Sequence, residues 1–154
     1  MKTVVATGVF EILHPGHIKF LTEAKKLGDK LIVIIARDKL ISKQKNAVIP
    51  EEQRLEVIKA LKVVDKAILG DKEDIFKPIE EIKPYIIALG KNQDVDEKIL
   101  TEELKKRNLN IQVIRIENFY NKNLNSTTKI KEKILKLNEA GRGCPTINKN
   151  QDLL

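Results

Sequence analysis

"TVVATGVFEILHPGH", residues 3–17, decides the fold. It begins as an apolar run, turns at Gly8, and reaches the only two histidines of the chain, His14 and His17, with Pro15 and Gly16 between them. The run over 3–7 reads as a strand buried on both faces, because a parallel strand covered by helices is continuously apolar. Pro15 and Gly16 then open a helix with the apolar stripe Phe20, Leu21, Ala24 and Leu27, and Gly28 is its stop. Strand, glycine turn and helix start, in that order, form the first half of a βαβ unit.

The alternation continues along the chain. "KLIVIIA" (30–36) is the second strand. "PEEQRLEVIKAL" (50–61) opens with Pro50 and two glutamates, a helix start that suits the dipole, and buries Leu55, Ile58 and Leu61. Arg54, near that start, reads as a surface residue or a partner of Glu51. "DKAIL" (65–69) is a third strand ended by Gly70, and "DIFKPIEEI" (74–82) a short helix with Pro78 inside it. "YIIALG" (85–90), "VDEKILTEELKKRN" (95–108) and "IQVIRI" (111–116) are strand, helix and strand, and a last helix runs from Thr127 to Leu137. Right-handed crossovers turn such a series into an α/β fold: a Rossmann-like, doubly wound parallel five-stranded sheet, order 3-2-1-4-5, with helices on both faces. Ligands on such sheets bind beyond the carboxyl ends of the strands, where strand order reverses. That crevice lies between strands one and four, so "GVFEILHPGH" (8–17) and "GKNQ" (90–93) face each other across it. Residues 1–137 make one domain, and 138–154, which lose all periodicity, read as a flexible tail.

Composition narrows the function class. At 154 residues, 42% hydrophobic and 33% charged, the chain can build a core without a disulfide framework. Its one cysteine, Cys144, cannot form an internal bridge, which points to a reducing, cytoplasmic compartment. The N-terminus has no signal-peptide layout, and no apolar run approaches the ~18 residues of a membrane helix. A net charge of +7 favours anionic partners, nucleotides and phosphates as well as nucleic acid. With 4% aromatic residues and no base-reading motif, nucleic acid is not the expected partner.

Both imidazoles lie where free N–H groups at a helix N-terminus gather an anion. The dipole there biases His17 towards its neutral form, which still donates one hydrogen bond to a phosphate oxygen. On spacing alone the pair is equally well two loop histidines, one of them a cap; its place between a strand-ending glycine and a helix start favours function. A zinc site lacks further ligands, since Cys144 is remote in sequence. Near the other end, "NSTTKI" (125–130) offers Ser126 as an N-cap, with Thr127 and Thr128 at the same helix start as a second phosphate cradle. Two lysines, Lys43 and Lys45, follow the second strand within reach of a triphosphate, with ordinary solvated lysines as the alternative. Asp38 at that strand's end is a candidate for ribose or metal contact, or a plain turn carboxylate.

"GVFEILHPGH" resembles the GxFDxLHxGH signature of the cytidylyltransferase-like nucleotidyltransferases, and "NSTT" resembles their second signature, ISTT. Over residues 3–137 the chain is most similar to archaeal-type FAD synthases, in "ARDKLISKQK", "IPEEQRLEVIKALKVVDKAILG", "LGKNQ", "EELKKRNL" and "STTKI". The resemblance implies transfer of AMP from ATP to the phosphate of FMN, with FAD and pyrophosphate as products. It implies catalytic roles for His14 and His17, and ATP contacts at Val9, Phe10, His14, Pro15, Gly16, His17 and Asn92. Tyr120 or Phe119 supplies a further ATP contact, and Ser126, Thr127 and Thr128 hold the β,γ end. It also implies a divalent metal, Mg²⁺ or another divalent ion, whose protein ligands stay open, and a homodimer by analogy. Glu11 replaces the family's aspartate, which lies near the phosphates or their metal, and Asn92 replaces an aspartate of the LGxDQ loop. The arginine that precedes ISTT in glycerol-3-phosphate cytidylyltransferases has no counterpart in "FYNKNLNSTT". The rival readings are a CTP-dependent cytidylyltransferase acting on a polyol phosphate and a nucleotide- or RNA-binding module without turnover.

Overall fold

The structure, a computed structural model, describes residues 1–41, 47–117 and 120–141. Five strands, β1 (Thr3–Gly8), β2 (Lys30–Ile35), β3 (Lys66–Leu69), β4 (Ile86–Gly90) and β5 (Gln112–Ile116), form one sheet in the order β3-β2-β1-β4-β5. Every pairing is parallel, and Val5 of the central strand stands in register with Ile32 on one side and Ile87 on the other. The helices between them are α1 (Pro15–Lys25), α2 (Glu51–Lys59), α3 (Lys77–Ile82), α4 (Glu97–Lys106) and α5 (Thr127–Glu139).

Alternate residues of the strands feed two cores. Val4, Ala6, Leu31, Val33 and Ala88 pack against Leu21 and Ala24 of α1 and Ile58 of α2. Val5, Ile32, Ile34, Ile87 and Leu89 pack against Ile79 of α3 and Leu104 of α4. Each fully buried side chain of this kind contributes about 1.5–3 kcal/mol, far more than helix propensity does, so the two faces fix where the helices lie.

Helix starts shift from the sequence expectation for local reasons. Pro78 stands in the first turn of α3 rather than inside it, where its missing N–H costs nothing, and the Asp74 carboxylate accepts from the N–H of Phe76 just upstream. The start of α4 is set by Asp96, whose side chain accepts from the N–H groups of Lys98 and Ile99. At the other end, α5 continues two residues beyond Leu137, to Glu139. Gly141, at φ +67°, follows it in the left-handed conformation that commonly ends helices. Residues 142–154, with Cys144, lie outside the described residues. Among the described residues, no helix is long and apolar enough to cross a membrane.

Candidate active site

The carboxyl end of β1 is built around a close approach. A Cβ on Gly8 would stand 2.8 Å from the Phe10 ring, so glycine is required there. Phe10 is buried, in the left-handed region at φ +51°, a conformation that costs a bulky residue about 1–3 kcal/mol and collects at functional sites. Its ring meets His17 edge-on, with centroids 5.2 Å apart.

His14 is the N-cap of α1 in extended conformation, Pro15 stands in the first turn, and the His14 carbonyl accepts from the N–H of His17 at 2.9 Å. The two imidazoles stack, with centroids 3.8 Å apart and planes 25° apart. Neither Nδ1 has a hydrogen-bond partner among the described residues, and both atoms are buried. Burial holds the His14 pKa below the usual histidine value. Burial and then the charge of His14 push His17 down to about 4. Both rings are therefore neutral near pH 7, as expected for His17, through desolvation and the neighbouring ring.

A second helix N-terminus closes on the first. A Cβ on Gly16 would lie 2.8 Å from the Asn125 carbonyl and 2.8 Å from the His14 ring, so only glycine lets the segment before α5 approach so closely. Ser126 caps α5 as expected, its hydroxyl accepting from the N–H of Lys129 at 3.3 Å. Thr127 Oγ1 lies 3.5 Å from the Ile12 carbonyl, and Thr128 is exposed. The two phosphate cradles read from the sequence, His14 to His17 and Ser126 to Thr128, thus meet at one end of the sheet.

Tyr120 borders an open, apolar cavity of about 550 Å³ with Leu13, His14, Pro15 and Ile18. Asn92 is exposed on the loop after β4. Its neighbour Gln93 makes the tertiary contact instead, accepting from the Gly90 N–H at 2.6 Å and donating to the Thr7 carbonyl at 2.7 Å. Lys43, Lys45 and Phe119 lie outside the described residues.

Three charged residues differ from their sequence reading. Arg54 is not a surface residue: it is 1% exposed, and its guanidinium donates to the carbonyls of Val9, Ala36 and Ile49 and pairs with Asp38 at 2.6 Å. Its helix position, four residues before Ile58, was the available signal, since that places it on the buried stripe. The carboxylate of Asp38 is accordingly committed to Arg54, and also accepts from the Glu51 N–H at 3.2 Å. Lys131, which sequence alone reads as one of the lysines on the solvated face of the last helix, instead pairs through its ammonium with buried Glu11 at 2.5 Å. Burial alone would raise the Glu11 pKa, but Lys131 and the N–H groups of Val48 and Ile49 outweigh it, so the carboxyl titrates below its ordinary value.

Two neutral imidazoles and two converging helix N-termini stand beyond the central strand of a parallel sheet, where such sheets receive their ligands. The cytidylyltransferase-like family model matches residues 5–133, and the chain belongs to that family. A protein named FAD synthase from Archaeoglobus profundus is 60% identical over 135 residues, covering 88% of this chain and 87% of the relative. Another of that name, from Ferroglobus placidus, is 57% identical over 137 residues, covering 89% and 90%. A solved structure from Thermoplasma volcanium, described as a lipopolysaccharide core biosynthesis protein, is 46% identical with a TM-score of 0.75, covering 79% of this chain and 99% of its own.

Proposed function

We infer that the chain is an FMN adenylyltransferase, transferring AMP from ATP to the phosphate of FMN and releasing pyrophosphate. The observation that carries the transfer chemistry is the stacked, neutral pair His14 and His17 at the joined N-termini of α1 and α5. The choice of acceptor follows the FAD synthases that share 60% and 57% of their residues with it.

The FMN phosphate is already a nucleophile, so the site needs no general base. A phosphate oxygen bonds to the α-phosphorus of ATP in line with the bond to the β-phosphate bridge, which breaks as pyrophosphate leaves. Catalysis is then positioning and charge stabilisation. Each neutral imidazole donates its single N–H to phosphate oxygens as negative charge builds, and the N–H groups of the α1 first turn add to it. Ser126, Thr127, Thr128 and the N-terminus of α5 hold the β,γ end. The apolar cavity beside Tyr120 suits the adenine ring.

Among the described residues no group of three His, Cys, Asp or Glu side chains gathers, and Glu11 and Asp38 already face Lys131 and Arg54. Such a site fits an ion carried mainly by the triphosphate, with Glu11 as the carboxylate to complete its shell; Mg²⁺ binds in this way. Bound there, the ion would neutralise charge on the leaving pyrophosphate. We place the protein in the cytoplasm, where ATP and FMN are available, and take it to be a homodimer.

Pyrophosphate release measured with ATP or CTP against a panel of phosphates tests the reading. ATP with FMN should be the productive pair. Turnover with CTP and glycerol 3-phosphate alone makes it a cytidylyltransferase, and nucleotide binding without release makes it a binding module.

A further inference from the structure

The loop after β4 is fastened from both sides, and the fastening takes two side chains with no assigned role. Gln93 bridges inward, joining the Gly90 N–H to the Thr7 carbonyl on the central strand. Arg115, on the edge strand β5 and in register with Leu89, reaches across the end of β4 from the other side. Its Nε donates to Glu97 at 2.7 Å, and its remaining nitrogens donate to the carbonyls of Gly90 at 2.9 Å, Gln93 at 3.1 Å and Val95 at 2.5 Å. One guanidinium, with its side chain 18% exposed, thus ties the last carbonyl of β4 and two carbonyls of the six-residue loop to the first turn of α4.

This is more than a strand-end turn needs. Two of the loop's carbonyls and the last of β4 are turned towards β5, and Asn92 is left exposed between the two anchors with no side-chain hydrogen bond among the described residues. Purine and pyrimidine edges reach different distances from the ribose. A loop held to a fraction of an ångström discriminates between them, whereas a loose loop does not. Lysine cannot replace the arginine, because a point ammonium does not span four acceptors set around a planar fork.

We propose that Arg115 and Gln93 are positioning residues that set nucleobase selection by fixing the loop that carries Asn92. The proposal rests on the reading of the site as one that binds ATP. It concerns ground-state and transition-state binding alike, so the loss belongs in KM and Kd rather than in kcat.

The test compares wild type, Arg115→Lys and Gln93→Met for calorimetric Kd of ATP and of CTP, and for KM and kcat of FAD formation. Each variant should raise Kd and KM for ATP by about tenfold, the worth of one hydrogen bond lost when the loop carrying Asn92 shifts. The ATP-to-CTP preference should fall by a similar factor, with kcat and the KM for FMN near wild type. Should Arg115→Lys not fold, Gln93→Met decides alone. Wild-type nucleotide affinities and preference in the folded variants overturn the proposal even if the protein makes FAD. Conversely, a wild type that makes no FAD, but whose nucleotide preference collapses in the variants, overturns the functional reading and leaves the proposal standing.

Discussion

His14 and His17 lie ring on ring, 3.8 Å between centroids, and the buried Nδ1 of each has no partner among the described residues. A proton on one ring would repel a proton on the other across that distance. The pair is therefore neutral near pH 7, and in the proposed reaction it would offer phosphate one N–H per ring without adding a fixed charge that binds substrate and product as tightly as the transition state.

Removing either ring should be costly to the reaction and cheap to the fold. His14→Ala and His17→Ala should each lower kcat/KM by about 10²–10³, the range for one lost donor to developing charge. Circular dichroism should show an unchanged helix and strand content. Near-normal turnover in both variants would remove the histidines from the chemistry.

Acid should destabilise the protein through His17. Its folded pKa of about 4 lies below the ordinary histidine value of 6.5, so between these limits the unfolded chain binds more protons than the folded one. Stability from this source is intact above about pH 6.5 and is lost as pH falls towards 4. The full loss is about 3 kcal/mol, from the size of the shift. Glu11, with its pKa lowered below 4.5, adds to the loss at the acid end of the window. Urea unfolding at a series of pH values should show this slope in the wild type and a flatter one in His17→Asn. Identical slopes would mean that the imidazole is not desolvated.

Arg54 should be among the most sensitive positions outside the histidine loop. Arg54→Met keeps much of the volume but strands the carbonyls of Val9, Ala36 and Ile49 and leaves Asp38 without its cation. Asp38 is half-exposed and keeps its hydration, so the loss comes from the carbonyls left without a donor, about 1–3 kcal/mol for each one buried. Chemical denaturation measures it directly, and a loss under about 1 kcal/mol, the range of a surface pair, would contradict the burial described.

Lys131 should link the last helix to the loop after β1. Lys131→Met leaves the Glu11 carboxylate buried without its ammonium partner and should cost about 1–3 kcal/mol. Glu11→Gln in the same background should recover part of that loss, because the neutral amide needs no counter-charge. A double-mutant cycle on the two positions reads the coupling, and additive effects would show that the pair is not formed.

The sheet order was legible because β1 and β2 are continuous apolar runs, which only a doubly covered parallel strand requires. Both helix starts at the site were legible from Pro15 and Ser126, whose chemistry is local. What escaped notice was charge used internally. Arg54 and Lys131 read as surface residues because a cation is usually outside, Arg115 stands out in no sequence pattern, and the partners of all three, at Val9, Glu11 and Gly90, are remote in sequence. The loop after β4 is legible from its place at the switch point, but the resemblance points to Asn92 in it, whereas Gln93 makes the contact with β1; an amide's partner depends on which strand lies beside it.

The most direct test is the reaction itself. Purified protein given ATP labelled at the α-phosphate, FMN and Mg²⁺ should yield labelled FAD and pyrophosphate in equal amounts, separated by chromatography, and His17→Ala should suppress both together. Labelled product from CTP and a polyol phosphate, with none from ATP and FMN, would contradict the assignment.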